Sequence, residues 1–327
     1  MATYKGIQGY TVQKLSSDPT ASEAVGQLWY NSTSGKFKVG TEGAGAWAAG
    51  GLLNTYREEA AGAGTQTAGI CMGGLQSPSD SPRYRDETET YNGSAWSEVG
   101  DLNTGRAGLD AAGSTTAALA FGGGNPGAVA TVESWNGSSW TEVSNLSSTR
   151  RNASGWGTQA LANIAGGVPN STLYEQWDGT SWTASTAINT GRSLIAAAGT
   201  QTAGLIFGGL VTSTAQALTE KWNGSAWTEV NDITTARYSS GGAGITTAAI
   251  IFGGTTGSNT AKTELYDGTS WTETTDMGLA RRSLCGANAS PNGASMAYGG
   301  FATSYPQANQ TEEWTNPVYT NKTVTVS

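Results

Sequence analysis

One unit of roughly 44 residues is repeated six times along this chain of 327 residues, and no other feature restricts its fold as strongly. The string Trp-Asn-Gly-Ser-Ser-Trp and close variants of it mark the copies. Its second tryptophan belongs to a series with intervals of 42 to 49 residues, at Trp47, Trp96, Trp140, Trp182, Trp227 and Trp271. An arginine follows each of these tryptophans by ten residues, at Arg57, Arg106, Arg150, Arg192, Arg237 and Arg281.

Two further markers keep the same order within each copy. A Gly-Gly pair begins at Gly73, Gly122, Gly166, Gly208, Gly253 and Gly299. A glutamate stands two residues before an aromatic residue, at Glu89, Glu133, Glu175, Glu220, Glu264 and Glu312. Because four independent markers each occur six times in one order, the chain is a tandem array and not a chance pattern.

Within one copy the residue pattern is that of β-strands, and no helical periodicity is present. In residues 106–144, RAGLDAAG and AALAFGG are predicted as the first and second strands, and TVESW and SWTEV as the third and fourth. The Asn-Gly turn between the last two strands is typical of a tight hairpin. Four antiparallel strands per copy indicate a β-propeller blade. The sequence therefore predicts an all-β protein with a six-bladed β-propeller over residues 44–316.

The order of these markers resembles the kelch repeat. In that family Gly-Gly, an aromatic residue, Trp and Arg follow one another, as Gly73, Tyr91, Trp96 and Arg106 do in the first copy. Most other copies carry Trp where the family has Tyr, and the spacing from this aromatic residue to the next Trp is always five. The resemblance covers residues 44–316 and implies a kelch-like propeller.

The sixth copy lacks a fourth strand of its own, because the chain after Trp314 reads TNPVYTNKTVTVS without a second tryptophan. The segment around Trp47 precedes the first Gly-Gly pair and belongs to no earlier copy. We expect it to pair with the strand at Glu312–Trp314, which would close the ring and remove two exposed sheet edges. Residues 317–327 are then a C-terminal tail.

Residues 1–43 lie outside the repeat and contain a predicted β-hairpin, QLWYNSTSGKFKV, with a Ser-Gly turn. One interpretation makes it an edge hairpin on the propeller. A second follows from a resemblance, because LWYNSTSGKFKV is similar to hairpins of bacteriophage tail-fibre and other virion proteins. SSDPTASEAVGQLWYN, LNTGR and GTQTA likewise resemble propeller-type structural proteins of marine bacteriophages. This resemblance spans nearly the whole chain and implies that residues 1–43 are an attachment segment.

Composition excludes several classes of function. The chain has no histidine, which excludes Ser-His-Asp and Cys-His catalysis and metal sites that need imidazole. A net charge of −8 with only 17 Lys and Arg is unsuited to nucleic-acid binding. No apolar run suits a signal peptide or a membrane span. We therefore expect no catalytic residues, no cofactor, no metal, no nucleic-acid partner and no membrane insertion.

Three sets of residues have both a structural and a functional interpretation. The six arginines could ring a channel mouth and bind an anion, or pair with the six glutamates, and their identical placement favours pairing. Aromatic pairs such as Trp135 and Trp140 could stack on sugars, but their strict recurrence favours packing between blades. Cys71 and Cys285 fall in neighbouring blades of a closed ring, where a disulfide is conceivable and two buried thiols are favoured.

The loops between the second and third strands vary in length and content, whereas the other turns are short and uniform. Such variation on one face of a repeat array is typical of a binding face. The loops of the first and sixth copies are the longest, and they are neighbours across the closure. We predict a partner- or receptor-binding surface that contains Arg83, Tyr84, Arg85, Tyr305 and Gln307. The alternative is that these loops have simply drifted.

Together these features favour a non-enzymatic structural protein of a bacteriophage particle, in a tail fibre or other adsorption apparatus. Its propeller would bind the host surface or a neighbouring virion protein. Three alternatives stay open: a capsid-surface decoration protein, a glycan-degrading depolymerase and an intracellular kelch-type adaptor. The resemblance implies other virion proteins as partners through residues 1–43, a host glycan or protein as receptor, and a homo-oligomer, with a trimer the common form of fibre proteins. Synthesis in the host cytoplasm without a signal peptide is expected.

Overall fold

The structure is a computed structural model, and it describes residues 12–20, 24, 26–76, 80–81, 83–169, 171–288, 293–302, 309–317 and 319–324. Every regular element among these residues is a β-strand, so the predicted all-β class is confirmed. The chain forms two compact units. The smaller contains the described residues up to Gly45 and those from Asn316 onward, and the larger spans Ala46–Thr315.

The smaller unit is one four-stranded sheet. Its strands, in the order in which they pair, are β1 (Gln13–Leu15), β2 (Leu28–Asn31), β3 (Lys36–Glu42) and β30 (Tyr319–Thr323). β2 and β3 form the antiparallel hairpin that the sequence predicts. The Asp18 carboxylate accepts hydrogen bonds from Trp29 Nε1 at 3.1 Å and Asn31 Nδ2 at 2.6 Å, which fastens the preceding loop to this hairpin. Part of the predicted C-terminal tail, Tyr319–Thr323, forms β30, antiparallel to β3.

Within the described residues the larger unit holds six four-stranded antiparallel sheets, numbered here in chain order. Sheet 1 consists of β5 (Ala61–Thr65), β6 (Ala68–Met72), β7 (Thr88–Tyr91) and β8 (Trp96–Glu98). Sheet 2 consists of β9 (Ala107–Gly113), β10 (Ala118–Gly124), β11 (Val132–Trp135) and β12 (Trp140–Val143). Sheet 3 consists of β13 (Ser154–Gly157), β14 (Ala162–Ala165), β15 (Tyr174–Trp177) and β16 (Trp182–Ala184).

The remaining three sheets repeat this order with two additions. Sheet 4 consists of β17 (Ala196–Gly199), β18 (Gly204–Phe207), β21 (Thr219–Trp222) and β22 (Trp227–Val230), and its loop carries the small hairpin of β19 (Leu210–Val211) and β20 (Thr214–Ala215). Sheet 5 consists of β23 (Gly241–Ile245), β24 (Ala248–Phe252), β25 (Thr263–Tyr266) and β26 (Trp271–Glu273). Sheet 6 consists of β27 (Cys285–Gly286), β28 (Ala294–Tyr298), β29 (Thr311–Thr315) and β4 (Ala46–Ala49).

Sheet 6 combines strands from the two ends of the larger unit. β4 runs antiparallel to β29 and places Trp47 opposite Trp314, with the ring centroids 5.4 Å apart. This is the pairing that the sequence predicts for the segment around Trp47. Without β4, the backbone groups on one side of β29 would lack their strand partners.

The first strands of the six sheets lie side by side. Each contacts the first strand of the next sheet, and β27 of sheet 6 contacts β5 of sheet 1. These strands are rich in glycine and alanine because their neighbours approach closely. A Cβ atom built on Gly62 would lie 2.3 Å from the Tyr298 hydroxyl and 2.9 Å from Cys285 Cβ. The high glycine content of the chain therefore has a packing cause.

The recurring aromatic residues form the core between sheets, which confirms their predicted structural role. Trp135 and Trp140 are buried, and their rings lie 5.3 Å apart as cross-strand partners. Trp140 Nε1 donates to Thr88 Oγ1 of the preceding sheet at 3.0 Å, and Trp96 Nε1 donates to Thr311 Oγ1 at 2.9 Å. The fourth-strand tryptophan thus fastens these sheets to their predecessors while burying a large apolar surface.

The Gly-Gly pairs have left-handed backbone conformations that explain their residue type. The first glycine of each pair has φ between 62° and 72°, and the second has φ between 90° and 109°. The N–H of the second glycine donates to the carbonyl oxygen of the marker arginine in the next sheet, as in Gly123 to Arg150 at 2.9 Å. A side chain at either position would add strain. The motif therefore joins consecutive sheets.

Candidate functional site

The six marker arginines are buried and paired with the six marker glutamates. The six arginine side chains are at most 2% exposed. The pairs, each within one sheet, are Arg57–Glu89, Arg106–Glu133, Arg150–Glu175, Arg192–Glu220, Arg237–Glu264 and Arg281–Glu312. The predicted pairing is confirmed, and none of the six guanidinium groups is exposed at a surface where an anion could bind.

Each buried glutamate also holds the loop that leads into its sheet. The Glu264 carboxylate accepts the Arg237 guanidinium at 2.6 Å and the backbone N–H of Thr234 at 2.6 Å. Burial lowers the pKa of Arg237, and the charge of Glu264 opposes this decrease. Buried charges of this kind are stable only while both partners are present. The arginines and glutamates therefore stabilise the larger unit.

A second repeated feature surrounds the centre of the six sheets. The residue two positions after each marker arginine has a left-handed backbone, with φ between 52° and 61°, at Glu59, Gly108, Asn152, Leu194, Ser239 and Ser283. The N–H of each donates to the carbonyl oxygen of the equivalent residue in the preceding sheet, at 2.7–3.0 Å, and Glu59 donates to Ser283. We call these six residues the mouth residues. Five of them carry side chains, which makes their shared conformation unusual.

The mouth residues open into a cavity of about 110 Å³. Its walls come from the mouth residues and from the first strand of each sheet or the residues beside it. Its polar side chains include those of Glu59, Asp110, Ser239, Ser283 and Asn288. A concave space with a few convergent polar groups is the usual form of a small-molecule site.

Asp110 of β9 is the half-buried carboxylate of this cavity. Its Oδ2 accepts the backbone N–H of Gly155 at 2.7 Å, and its Oδ1 accepts that of Ala111 at 2.8 Å. Burial raises the pKa of Asp110 to about 7, although the two N–H donors oppose the rise. Within the described part of the chain no Lys or Arg forms an ion pair with it. The cavity therefore contains an acceptor without a balancing cation.

Asn288, which follows β27, crosses from sheet 6 to sheet 2. Its Nδ2 donates to the carbonyl oxygen of Ala111 at 2.8 Å, next to the peptide N–H that Asp110 accepts. The residue is 9% exposed, and within the described part of the chain its Oδ1 has no hydrogen-bond partner. A buried amide oxygen without a donor is costly, so this atom marks a position where a donor is missing.

The mouth carries charges of both signs. Burial raises the pKa of Glu59, and the positive charges of Arg151, Arg83 and Arg282 oppose this rise. The guanidinium of Arg282 lies 4.2 Å from the ring centroid of Phe301, while Arg151 is exposed. Glu59 is thus surrounded by arginines on the loop side of the cavity, in contrast to Asp110 in its interior.

The predicted loop residues of the first copy border this mouth. Tyr84 forms a β-bridge with Leu75, and Leu75 forms another with Glu58, the neighbour of Glu59. Arg83 is exposed and lies 6.0 Å from the centroid of the Tyr84 ring. Arg85 is half-buried, and its Nε donates to Glu87 Oε2 at 2.7 Å. Tyr305 and Gln307, the predicted residues of the sixth loop, lie outside the described residues.

Cys71 and Cys285 are free, buried thiols in contact with each other. The hydrogen bond with Cys71 raises the pKa of Cys285 well above its ordinary value. Cys285 Sγ also donates to the carbonyl oxygen of Ala60 at 3.3 Å. Of the two interpretations from the sequence, the structure contains the pair of buried thiols.

Sequence reasoning did not single out Asp110, Asn288 or the mouth residues. The signal for the mouth is positional, because residue type at the second place after each marker arginine varies from Glu to Leu. For Asp110 the signal is one charged residue within a first strand otherwise made of Gly, Ala and Leu. Neither signal has a recognised motif attached to it.

Comparison with known proteins does not assign this chain to a family. No protein-family model matches the chain, and a search of the curated proteins finds no match either.

In the described residues no His, Cys, Asp or Glu side chains form a group of three that could hold a metal ion. That part of the chain also has no helix long and apolar enough to cross a membrane. The fold defines an all-β protein of four-stranded antiparallel sheets around a polar cavity.

Proposed function

We propose that the six sheets are the blades of one six-bladed, kelch-like β-propeller, closed by β4. Three cyclic relations support the proposal. β27 contacts β5, the hydrogen-bond series of the mouth returns from Glu59 to Ser283, and Gly300 N–H donates to the Arg57 carbonyl oxygen at 2.8 Å. An open array of repeats would leave the first and last members of each series without partners. A closed ring is therefore the simplest arrangement that accounts for all three.

We further propose that the protein is a non-enzymatic structural component of a bacteriophage particle, in a tail fibre or other adsorption apparatus. One observation carries its role in binding. The loops of the first and sixth copies begin beside Glu59 and Ser283, which are hydrogen-bonded neighbours at the mouth of the cavity. The described ends of these loops thus border the cavity on a rigid frame, an arrangement that suits recognition.

Assignment to a virion rests on the resemblance of residues 1–43 and of the repeats to bacteriophage structural proteins. Mass spectrometry of purified particles of the virus that encodes this chain tests it directly. Detection at a few copies per particle supports an adsorption apparatus, whereas many copies would favour capsid decoration. Absence from the particle overturns the proposal. Release of reducing sugar from host polysaccharide by the pure protein would favour a depolymerase.

Deleting residues 1–40 is expected to leave a folded larger unit that no longer joins the particle. The reason is that β4 begins at Ala46 and keeps its pairing with β29, whereas the hairpin of β2 and β3 is lost. The measurement is incorporation of the truncated protein into particles, with circular dichroism and thermal melting as the check on folding.

A longer deletion, of residues 1–49, is the matched control for this truncation. It also removes β4 and with it the contact between Trp47 and Trp314, so we expect a lower melting temperature or no cooperative transition. Normal incorporation of the 1–40 deletion would contradict the assignment of the attachment segment. Equal stability of both deletions would contradict the role of β4 in closure.

Replacing Tyr84 and Tyr305 with alanine is expected to leave assembly intact and to weaken binding to the host or partner. Tyrosines at a recognition surface contribute much of the binding energy because they combine apolar area with a hydroxyl group. We expect a loss of at least tenfold in affinity, measured as adsorption of particles to host cells. Leu161→Ala, which removes an exposed apolar side chain from the turn between β13 and β14, is the control. An equal loss in both variants would count against the loop surface.

A further inference from the structure

We propose that the cavity at the centre of the six sheets binds one neutral, hydroxyl-rich sugar residue, the terminal residue of a glycan. This inference rests on the proposed function as a surface-binding protein, and it names the ligand of that surface.

The interior of the cavity calls for a hydrogen-bond donor. Asn288 Oδ1 is buried and has no partner among the residues that the structure describes, although its Nδ2 is fixed on the Ala111 carbonyl oxygen at 2.8 Å. The Asp110 carboxylate also lines the cavity, and its hydrogen bonds to Gly155 and Ala111 leave further lone pairs. A sugar hydroxyl group can donate to the Asp110 carboxylate directly, and to Asn288 Oδ1, which is closed off from solvent, once the amide turns toward the cavity. Adjacent hydroxyls of one sugar residue can donate to more than one acceptor.

The distribution of charge favours a neutral ligand. A cation would be attracted by ionised Asp110 but would have to pass Arg83, Arg151 and Arg282, whose charges act on Glu59 at the mouth. An anion would be attracted by these arginines but, above the Asp110 pKa of about 7, repelled by its carboxylate, which has no ion-pair partner among the described residues. A neutral polyol avoids both costs, and each of its hydroxyls can donate to a carboxylate or accept from an arginine.

The cavity has the right size and lining for the end of one sugar residue. Its volume of about 110 Å³ is several times the roughly 10–15 Å³ that one water molecule requires. Ser239, Ser240 and Ser283 line it together with Asp110 and Asn288. Because the cavity is bordered by the variable loops, the rest of a glycan chain would extend across Tyr84 and its neighbours.

The test titrates the full-length protein with neutral glucose, galactose, mannose and N-acetylglucosamine, and with glucosamine and glucuronic acid as charged counterparts. Calorimetry at millimolar sugar gives the affinities, and a crystal structure with the tightest sugar gives its position. We expect a neutral sugar to bind tighter than either charged one, with its hydroxyls on Asp110 and Asn288. No binding by the neutral sugars, tighter binding of a charged one, or density outside the cavity overturns the proposal.

Asn288→Leu provides a second readout, since it removes the unpartnered oxygen and should weaken sugar binding at least tenfold. Asn231→Leu is the matched control, because exposed Asn231 also donates one hydrogen bond to a backbone carbonyl, that of Thr269 at 2.9 Å. Unchanged affinity in Asn288→Leu overturns the proposal. If this variant fails to fold, the crystal structure of the unaltered protein with sugar decides.

Failure of this inference and failure of the proposed function are separable. A protein found in particles that binds none of the neutral sugars keeps the virion assignment and loses the cavity ligand. A protein that holds a neutral sugar in the cavity but is absent from particles keeps the ligand and loses the virion assignment.

Discussion

Replacing Glu264 with glutamine is expected to lower the free energy of unfolding of the larger unit by about 3–5 kcal/mol. Both side chains of the Arg237–Glu264 pair are fully buried, and the carboxylate also accepts the backbone N–H of Thr234. Glutamine preserves the shape but leaves the Arg237 guanidinium without a countercharge in a site where burial already disfavours its charged form. Equilibrium unfolding in urea measures the difference.

The matched control for this variant is Glu273→Gln in the same sheet. Glu273 pairs with Lys262, but the two side chains are 49% and 38% exposed, so water already screens their attraction. We expect a loss of less than about 1 kcal/mol for this surface pair. A second comparison replaces both buried partners, as Arg237→Met with Glu264→Leu, and should cost less than Arg237→Met alone. Glu264→Gln with a loss no larger than that of Glu273→Gln would contradict a structural role for the pair.

Raising the pH from 4 to 8 is expected to destabilise the protein through Asp110. Its pKa is about 7 in the folded protein, against an ordinary value of 3.8 that applies when the chain is unfolded. Between these two values the folded state holds a proton that the unfolded state has released, so stability falls as the pH rises. The full difference corresponds to about 4 kcal/mol, an upper limit because the side chain is only half-buried. Burial of Glu59 acts in the same direction.

Asp110→Asn isolates this contribution. Between pH 4 and pH 7 the melting temperature of this variant should fall much less than that of the unaltered protein. Asp178→Asn is the control, because backbone N–H donors of Ser181 and Thr180 lower the pKa of exposed Asp178. The contribution of the Asp178 carboxylate to stability is present above the unfolded pKa and is lost only as the pH falls. Asp178→Asn should therefore still lose stability as the pH rises above 4, as the unaltered protein does. Parallel profiles for the unaltered protein and Asp110→Asn would contradict the assignment.

Local sequence patterns were sufficient to predict the strands of the larger unit. The four strands predicted within 106–144 correspond to β9 to β12, because the apolar runs and the Asn-Gly turn act over a few neighbouring residues. The six Arg–Glu pairs were also predictable. A charge recurring at one position of every copy has to be compensated by another that recurs with it.

The pairing of β4 with β29 could be inferred only because the repeat made one strand visibly missing. No repeat marker predicted β30, whose partner β3 lies some 280 residues earlier in the chain. The sequence TNPVYTNKTVTVS has strand-forming residues but no marker that names a partner. Pairing at that separation depends on where the folded chain brings the two ends of the smaller unit.

The sequence by itself therefore determined the repeat, the all-β class, the paired charges and the aromatic core, since each depends on residue type at a regular spacing. Only the tertiary structure decided the cavity. The mouth residues share a backbone conformation without sharing a residue type, because hydrogen bonds between consecutive sheets impose it. Asp110 and Asn288 belong to sheets 2 and 6, and they meet at Ala111 only because tertiary packing brings the first strands of the sheets side by side.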